Sequence, residues 1–384
     1  MANTNEPAPA SRAGGARRLG LALVALGLLA ASACGVGAEP ADDATSTTAA
    51  GGGGDEPIDI DEVVEASRDE GGRLIVYGNP SPDQWEPVVA AFEEQYPWIE
   101  VETFDLGGTE AFQRYLSEEA TGATTADVIV NTDGDGWLDM VDRGQVVDYV
   151  DPELASLPDI AVAAPGVFAM SVDPLIGVFN TRALPLDEQP TTLAELAEAA
   201  EDLDGEIGTI EVENGQAGLG TFGYVDARGE EAWDVLEAIG PHAGVESGNG
   251  TLLSKLTSGE YVASFMASGS LRALIDLTDT GDVLNYRYFE DATVLPTRGM
   301  AVTAAAGAPS SARLLVNFLL SEEGQTVMCD GGFTPYREGI DCPQDLAAIE
   351  EVVGPDNAIV VGYPEALRED DEALEARWNE AFGR

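Results

Sequence analysis

The sequence predicts an α/β protein built on a parallel sheet. Two observations lead there. Apolar, β-branched runs alternate with segments of helical period, and the order strand–helix–strand–helix–strand holds from residue 73 to residue 142. That order sets consecutive strands side by side, with their strand-to-helix turns along one edge where ligands bind.

Arg73–Tyr77 (R-L-I-V-Y) reads as the first strand. Ser81-Pro82-Asp83-Gln84 then supplies an N-cap, a proline suited to the first helical position and the glutamine of a capping box. Trp85, Val89, Phe92 and Tyr96 share one helical face before Pro97 ends the helix. Ile99–Phe104 is a second strand, and Gly107-Gly108-Thr109 opens a helix through Phe112, Tyr115 and Leu116. Val128-Ile129-Val130 is a buried third strand. The turn N-T-D-G-D-G follows it, then Trp137, Met140 and Val141 at helical spacing. Residues 78–81, 107–109 and 131–137 are therefore expected to lie near one another, where exposed helix N-termini could accept an anion or carboxylate.

The 384 residues, 44% hydrophobic, are enough for two domains with their own cores. Seventy acidic residues stand against 18 basic ones, Lys255 is the only lysine, and the net charge is −52. Such a field repels nucleic acid and anionic surfaces and serves solubility. With His242 as the only histidine, a histidine metal centre or catalytic triad lacks its material, and Ser270 stands in no nucleophile elbow. No enzymatic activity is expected.

Residues 1–33 have the order of a secretory signal: Arg12, Arg17 and Arg18, an apolar run Leu19–Leu29, then small residues. The run is too short for a comfortable membrane span. A-S-A-C at 31–34 resembles a bacterial lipobox, which implies lipidation at Cys34 and anchoring to the outer face of the cell membrane. Residues 34–57, rich in Gly, Ala, Thr and Asp, read as a flexible tether. In an exported protein Cys329 and Cys342 are expected to pair, a bond worth roughly 3 kcal/mol in the chain-entropy picture.

Several stretches carry a resemblance to a known family. They are L-I-V-Y-G-N-P-S, V-V-A-A-F-E-E-Q-Y-P-W-I-E-V, A-D-V-I-V-N-T-D-G-D-G-W-L-D-M-V-D-R-G-Q-V-V-D-Y-V, P-L-I-G-V-F-N-T-R and A-R-L-L-V-N-F-L-L-S-E-E-G-Q-T-V-M. They resemble bacterial extracellular solute-binding proteins of ABC transporters, of the type II periplasmic-binding fold, closest to the ferric-iron-binding branch. The resemblance implies two lobes joined by crossing strands around a cleft, with residues 58–176 and 295–384 in lobe one and 177–294 in lobe two. Leu175–Phe179 would cross outward, and Asp291–Leu295 with Met300–Ala304 would return. It also implies an ABC permease and its ATPase as partners, a monomer, no resident cofactor, and capture by hinge closure. The cargo it leaves open is ferric iron or a ferric chelate, a polyamine, or a small polar organic solute.

The residues expected to hold that solute are Asn79, Ser81, Thr132, Asp133, Asp135 and Trp137 from lobe one. From lobe two come Thr221 and Tyr224, in a segment Gly218–Tyr224 read as a turn, and Ser264 at the end of the strand Tyr261–Phe265. Ferric relatives carry adjacent tyrosines near that strand, where this chain has Phe265-Met266; Tyr286 and Tyr288 lie downstream on one strand face. Arg272, Arg287 and Arg298 could meet an anionic solute or answer local carboxylates. A rival reading comes from Asn131, Asp133, Asp135, Gly136 and Asp142, which occupy positions 1, 3, 5, 6 and 12 of a calcium loop, with Asn for Asp at the first and Asp for Glu at the last. It makes the chain a calcium-stabilised structural or adhesive lipoprotein.

Overall fold

The computed structural model describes residues 56–213, 215–272, 275 and 282–384. The signal segment, Cys34 and nearly all of the tether lie outside the described residues.

A short helix missing from the sequence reading comes first: α1 (Ile60–Ser67), capped by the Asp59 carboxylate, which accepts from the Asp61 N–H at 3.0 Å. Then follow β1 (Arg73–Gly78), α2 (Pro82–Gln95), β2 (Glu100–Asp105), α3 (Gly108–Glu119), β3 (Val128–Asn131) and α4 (Gly134–Asp142). Next are β4 (Val162–Ala164), β5 (Val167–Val172), β6 (Leu175–Asn180), α5 (Leu193–Ala199), β7 (Ile207–Ile210), α6 (Gly215–Arg228) and α7 (Glu230–Ile239). The chain continues through β8 (Ala243–Glu246), α8 (Asn249–Ser258), β9 (Ala263–Ser264), β10 (Ala267–Ser268), β11 (Leu284–Arg287) and β12 (Thr293–Val302). It closes with α9 (Pro309–Leu320), α10 (Glu322–Asp330), α11 (Leu346–Val353), β13 (Ala358–Val361) and α12 (Glu365–Ala381).

Among the described residues these strands form two sheets. The first has the order β2-β1-β3-β12-β5-β4 with β13 beside β12; the second runs β10-β6-β9-β7-β8 with β11 beside β6. β1 pairs in parallel with β2 and β3, as the β-α-β-α-β reading requires. The same arrangement recurs in the second sheet, where β7 is parallel to β8 and β9.

Two passages connect the sheets. The chain leaves the first at Asp173-Pro174, between β5 and β6, and returns along β12. The two predicted return segments are one continuous strand: Thr293–Pro296 pairs with β13, and Thr297–Val302 with β5 and β3. The Asp173 N–H donates to Pro296 O at 2.9 Å, so the two passages touch. Arg298, from the return, meets Asp173, from the outward passage: Nη2 lies 2.6 Å from Oδ2, off the line a hydrogen bond prefers, with both side chains about nine-tenths buried.

The C-terminal helix departs from the expectation that it completes lobe one. Trp378 and Phe382 stack at 4.0 Å, Phe382 meets Phe265 of the second-sheet side, and Arg377 lies over Trp233 while pairing with Glu230 and Glu237. Its first turn reaches the other side, where Arg368 pairs with Asp142 and Leu367 packs beside Gly134. Apolar burial decides the matter, because the aromatic face of α12 finds its cover on α6 and α7. Cys329 and Cys342 form a disulfide, tying the end of α10 to the segment before α11.

One buried acid has a consequence for stability. Asp151 is 1% exposed; its Oδ1 accepts from Asn317 Nδ2 at 2.8 Å and from the Glu153 N–H at 3.0 Å, while Oδ2 meets no donor. Burial pushes its pKa up to about 6 from an ordinary 3.8. The folded chain thus holds this proton more tightly than the unfolded chain. The associated stability is complete below pH 3.8 and is lost as pH rises through about 6. Asp151→Asn is expected to stabilise the protein by roughly 2–3 kcal/mol at pH 7 and hardly at all at pH 4. Melting temperatures across that range check it: a parallel offset at all pH values would remove Asp151 as the cause.

Candidate functional site

The strand-to-helix turns of the two sheets face one another. The first residues of α3, α4, α6 and α8 (Gly108, Gly134, Gly215 and Asn249) all line one of two adjoining cavities. The more polar cavity, about 370 Å³, has Asn79, Gly108, Thr109, Thr132 and Asp133 on the first-sheet side. Glu211, Glu213, Gly215, Gln216 and Asn249 form its second-sheet side. The other, about 420 Å³, shares Thr109, Asp133, Glu213 and Gly215 and adds an apolar wall with Phe112, Leu116, Val212, Leu219 and Leu367. Asp135, Asp139 and Glu375 complete its acidic lining. Among the described residues no arginine, lysine or histidine lines either cavity.

Local chemistry orients the polar groups. Arg298, which can only donate, bonds Asn79 Oδ1, so the Asn79 amide must face the other way and donate to Thr132 Oγ1 at 2.9 Å. The Thr132 oxygen is thereby an acceptor, and its hydroxyl hydrogen is left for the cleft. Asn249 Oδ1 accepts from the Ser268 N–H at 3.0 Å, which leaves the amide hydrogens of Asn249 for whatever enters. Among the described residues Gln216 Nε2 is a buried donor without a partner. Unsatisfied buried donors are costly, so this wall is built to meet acceptors.

Asp133 caps α4, accepting from the Gly136 N–H at 3.1 Å, and its own N–H donates to Asn131 Oδ1 at 3.0 Å. Burial raises its pKa; the N–H groups of Gly136 and Asp135 and the Thr109 hydroxyl oppose the rise. Across the cleft, Arg384 reaches Glu211 at 3.3 Å and Glu213 at 3.6 Å, and Asn379 Nδ2 donates to Glu213 at 3.4 Å.

The structure thus brings Asn79, Thr132, Asp133 and Asp135 to the cavities and keeps the other expected residues out of the lining. Ser81 starts α2, its N–H donating to Gln84 Oε1 at 3.1 Å. Trp137 is fully buried, donates to Asn131 O at 3.0 Å and packs edge-on against Phe112. Gly218–Tyr224 is no turn but the middle of α6. Its glycines form a flat face against the strands: a Cβ on Gly220 would sit 2.0 Å from Leu175, and one on Gly223 would sit 3.0 Å from Val361. That contact outweighs a helix cost of about 1 kcal/mol per glycine. Thr221 consequently bonds Ala217 O within the helix at 2.9 Å, and Tyr224 is buried, with burial raising its pKa. Ser264 is spent on the backbone of β6, donating to Val178 O at 3.1 Å and accepting from the Val178 N–H at 3.0 Å.

The calcium loop is corrected as well. Residues 134–142 are helical, Asn131 donates to Gly108 O at 2.8 Å, Asp133 is spent as a cap, and Asp142 pairs with Arg368, so the residues do not wrap a common centre. Among the described residues no group of three or more His, Cys, Asp or Glu could hold a metal ion. Tyr288 accepts from Arg272 at 2.5 Å, and neither it nor Tyr286 lines the cleft. Arg272 also holds Gly269 O and Thr334, Arg287 holds Gln189 and Leu186 O, and Arg298 holds Asp173 and Asn79. All three are engaged within the protein. Glu211, Glu213, Gln216 and Asn249 went unread in the sequence, although Ile207–Ile210 followed by E-V-E shows the same strand-to-turn signal as Val128–Asn131.

Comparison with known proteins agrees with this architecture. Residues 88–352 match the family model of bacterial extracellular solute-binding proteins. No curated protein sequence matches the chain. The substrate-binding protein of an ABC transporter from Agrobacterium tumefaciens superposes with a TM-score of 0.70 at 22% identity, covering 82% of this chain and 95% of that one. Iron-bound HitA from Pseudomonas aeruginosa gives 0.63 at 18% identity, covering 80% and 99%. AfuA from Actinobacillus pleuropneumoniae, with exogenous fructose-6-phosphate bound, gives 0.63 at 19% identity, covering 81% and 99%. At these identities the likeness shows the fold, that of type II periplasmic-binding proteins. Among the described residues no helix is long and apolar enough to cross a membrane.

Proposed function

Because the chain belongs to the family of bacterial extracellular solute-binding proteins, we propose that it captures a cationic or uncharged polar solute between its two sheets and hands it to an ABC permease. Lobe one is the first-sheet side and lobe two the second-sheet side, with the hinge at Asp173-Pro174 and the middle of β12. Closure brings the turns of both lobes onto the solute, which shifts the open–closed population by its differential affinity for the closed form. Cys34 would hold the soluble body near the permease on the outer face of the membrane.

The observation that carries this reading is the lining of the cleft. Both lobes contribute to the same cavities, and the charged side chains among the lining residues are all carboxylates. The neighbours hold cargo as different as iron and a sugar phosphate, so the fold does not select the sign of the cargo; the lining does. An anion would meet six carboxylates and no basic side chain in that lining.

A thermal-shift panel on the full chain tests this, with spermidine, thiamine, glucose, ferric citrate and fructose 6-phosphate. At about 100 times its dissociation constant a cargo adds roughly 2.7 kcal/mol of stability. A shift with a cationic or neutral compound, lost in Asp133→Ala and in Gln216→Ala, is expected. A shift that survives both substitutions would remove the cleft as the site, and a shift with fructose 6-phosphate alone would reverse the sign of the cargo.

A further inference from the structure

From the hydrogen-bonding groups left unspent in the cleft, we infer that the solute is a neutral polyhydroxylated molecule, a sugar or sugar alcohol. Its hydroxyl groups bridge Thr132 on the first-sheet side and Asn249 on the second, which makes these two residues the determinants of specificity. The inference rests on the receptor reading above and narrows it.

Two donors are fixed by the bonds behind them. Arg298 can only donate, so it turns the Asn79 amide toward Thr132 Oγ1, and the Thr132 hydroxyl hydrogen remains for the solute. The Ser268 N–H also can only donate. It takes Asn249 Oδ1, which leaves both amide hydrogens of Asn249 for the cavity that this residue lines. Gln216 adds a third donor, since its Nε2 is buried and has no partner among the described residues. Thr132, at the end of β3, and Asn249, at the start of α8, line the same cavity from different sheets.

Acceptors stand beside these donors. Arg384 reaches Glu211 through Oε2, and Oε1 lies outside that contact. A carboxylate has about four lone-pair sites, so an engaged one still accepts. An ammonium group only donates; it would meet Glu211 and leave the three donors without acceptors. A carboxylate or phosphate only accepts; it would satisfy the donors and set its own charge against Glu211. A hydroxyl accepts from an amide and donates to a carboxylate at once, and it carries no charge.

The adjoining compartment fits the rest of such a molecule. Thr109 and Gly215 line both cavities, so the polar one opens onto Phe112 and Leu219. The C–H face of a polyol covers that apolar wall while its hydroxyl edge meets the polar side. Closure is coupled to binding by the same groups. Donors on the two sheets that lack protein partners gain acceptors only when one solute reaches both.

The test is calorimetric titration of the full chain with glucose, mannose, xylose, myo-inositol and sorbitol, and with spermidine, thiamine and fructose 6-phosphate as charged comparisons. At least one neutral polyol is expected to bind, with an affinity that low salt and about 0.5 M salt leave unchanged. Asn249→Asp keeps the acceptor for Ser268 and removes the donor; it is expected to weaken binding at least tenfold. Thr132→Val is expected to do the same, and Thr132→Ser to restore binding. Glu211→Gln, which keeps an oxygen acceptor without the charge, is expected to retain most of the affinity. Steep salt dependence, or loss of binding in Glu211→Gln, would show that charge and not hydroxyl recognition selects the solute. Failure of every polyol would overturn the inference, and binding of spermidine or thiamine that Gln216→Ala abolishes would then leave the receptor reading standing. Polyol binding untouched by Asn249→Asp and Thr132→Val would overturn the inference; if Asp133→Ala and Gln216→Ala leave it untouched too, the cleft is not the site.

Discussion

Gly215→Val is expected to hold the cleft open and to weaken solute binding by roughly 10- to 100-fold, the range that 1–3 kcal/mol of overpacking implies. Gly215 begins α6 on the second-sheet side, and a Cβ there would lie 3.2 Å from Asp133 Cα, 3.3 Å from its Cβ and 3.4 Å from its Cγ on the first-sheet side. Alanine asks the neighbour to give a few tenths of an ångström. Valine adds two methyl groups, and the room for them comes from separating the sheets. The position is exposed, so the fold itself should keep its stability. Scattering should show an expanded particle that no solute contracts, with Gly215→Ala intermediate. A Gly215→Val chain that contracts like the parent would remove this contact from the closing surface.

Arg298→Met is expected to cost roughly 3–5 kcal/mol of stability, because it strands a buried carboxylate. Asp173 keeps only the Ser171 hydroxyl, at 3.2 Å, from the same outward passage. The substitution also releases Asn79, whose orientation in the cleft depends on Arg298. The pair is weak evidence for stability in itself, since two buried charges cost desolvation that their attraction only partly offsets. Asp173→Asn combined with Arg298→Met should therefore recover much of the loss. Urea unfolding of the two single variants and the double variant measures the coupling. Single losses below about 1 kcal/mol would show instead that the pair is solvated and the hinge is held by backbone bonds alone.

The two sequence regions of the cleft were unequally legible. Val128–Asn131 and the turn after it stood out because a β-branched run ended abruptly in Asn, Asp and Gly, and the parallel order placed Asn79 beside Thr132. The matching turn after β7 carries the same signal, but the Gly-rich stretch just beyond it drew the reading away. There, local propensity favoured a turn, and contact decided for a helix. Gly220 and Gly223 let α6 lie closer to Leu175 and Val361 than any side chain allows. Ser264 failed for a different reason: its hydroxyl bonds the backbone of β6, a demand that comes from a strand 86 residues away.

What the sequence determined by itself is the α/β order, the parallel pairing of β1 with β2 and β3, and the acidic character of the molecule. Each follows from interactions between residues close in the chain or from composition. The tertiary structure decided which carboxylates face one another across the cleft, that Arg298 pairs with Asp173, and that α12 spans both sides. Those facts depend on burial and on partners far apart in the chain, and periodicity along the chain carries no record of them.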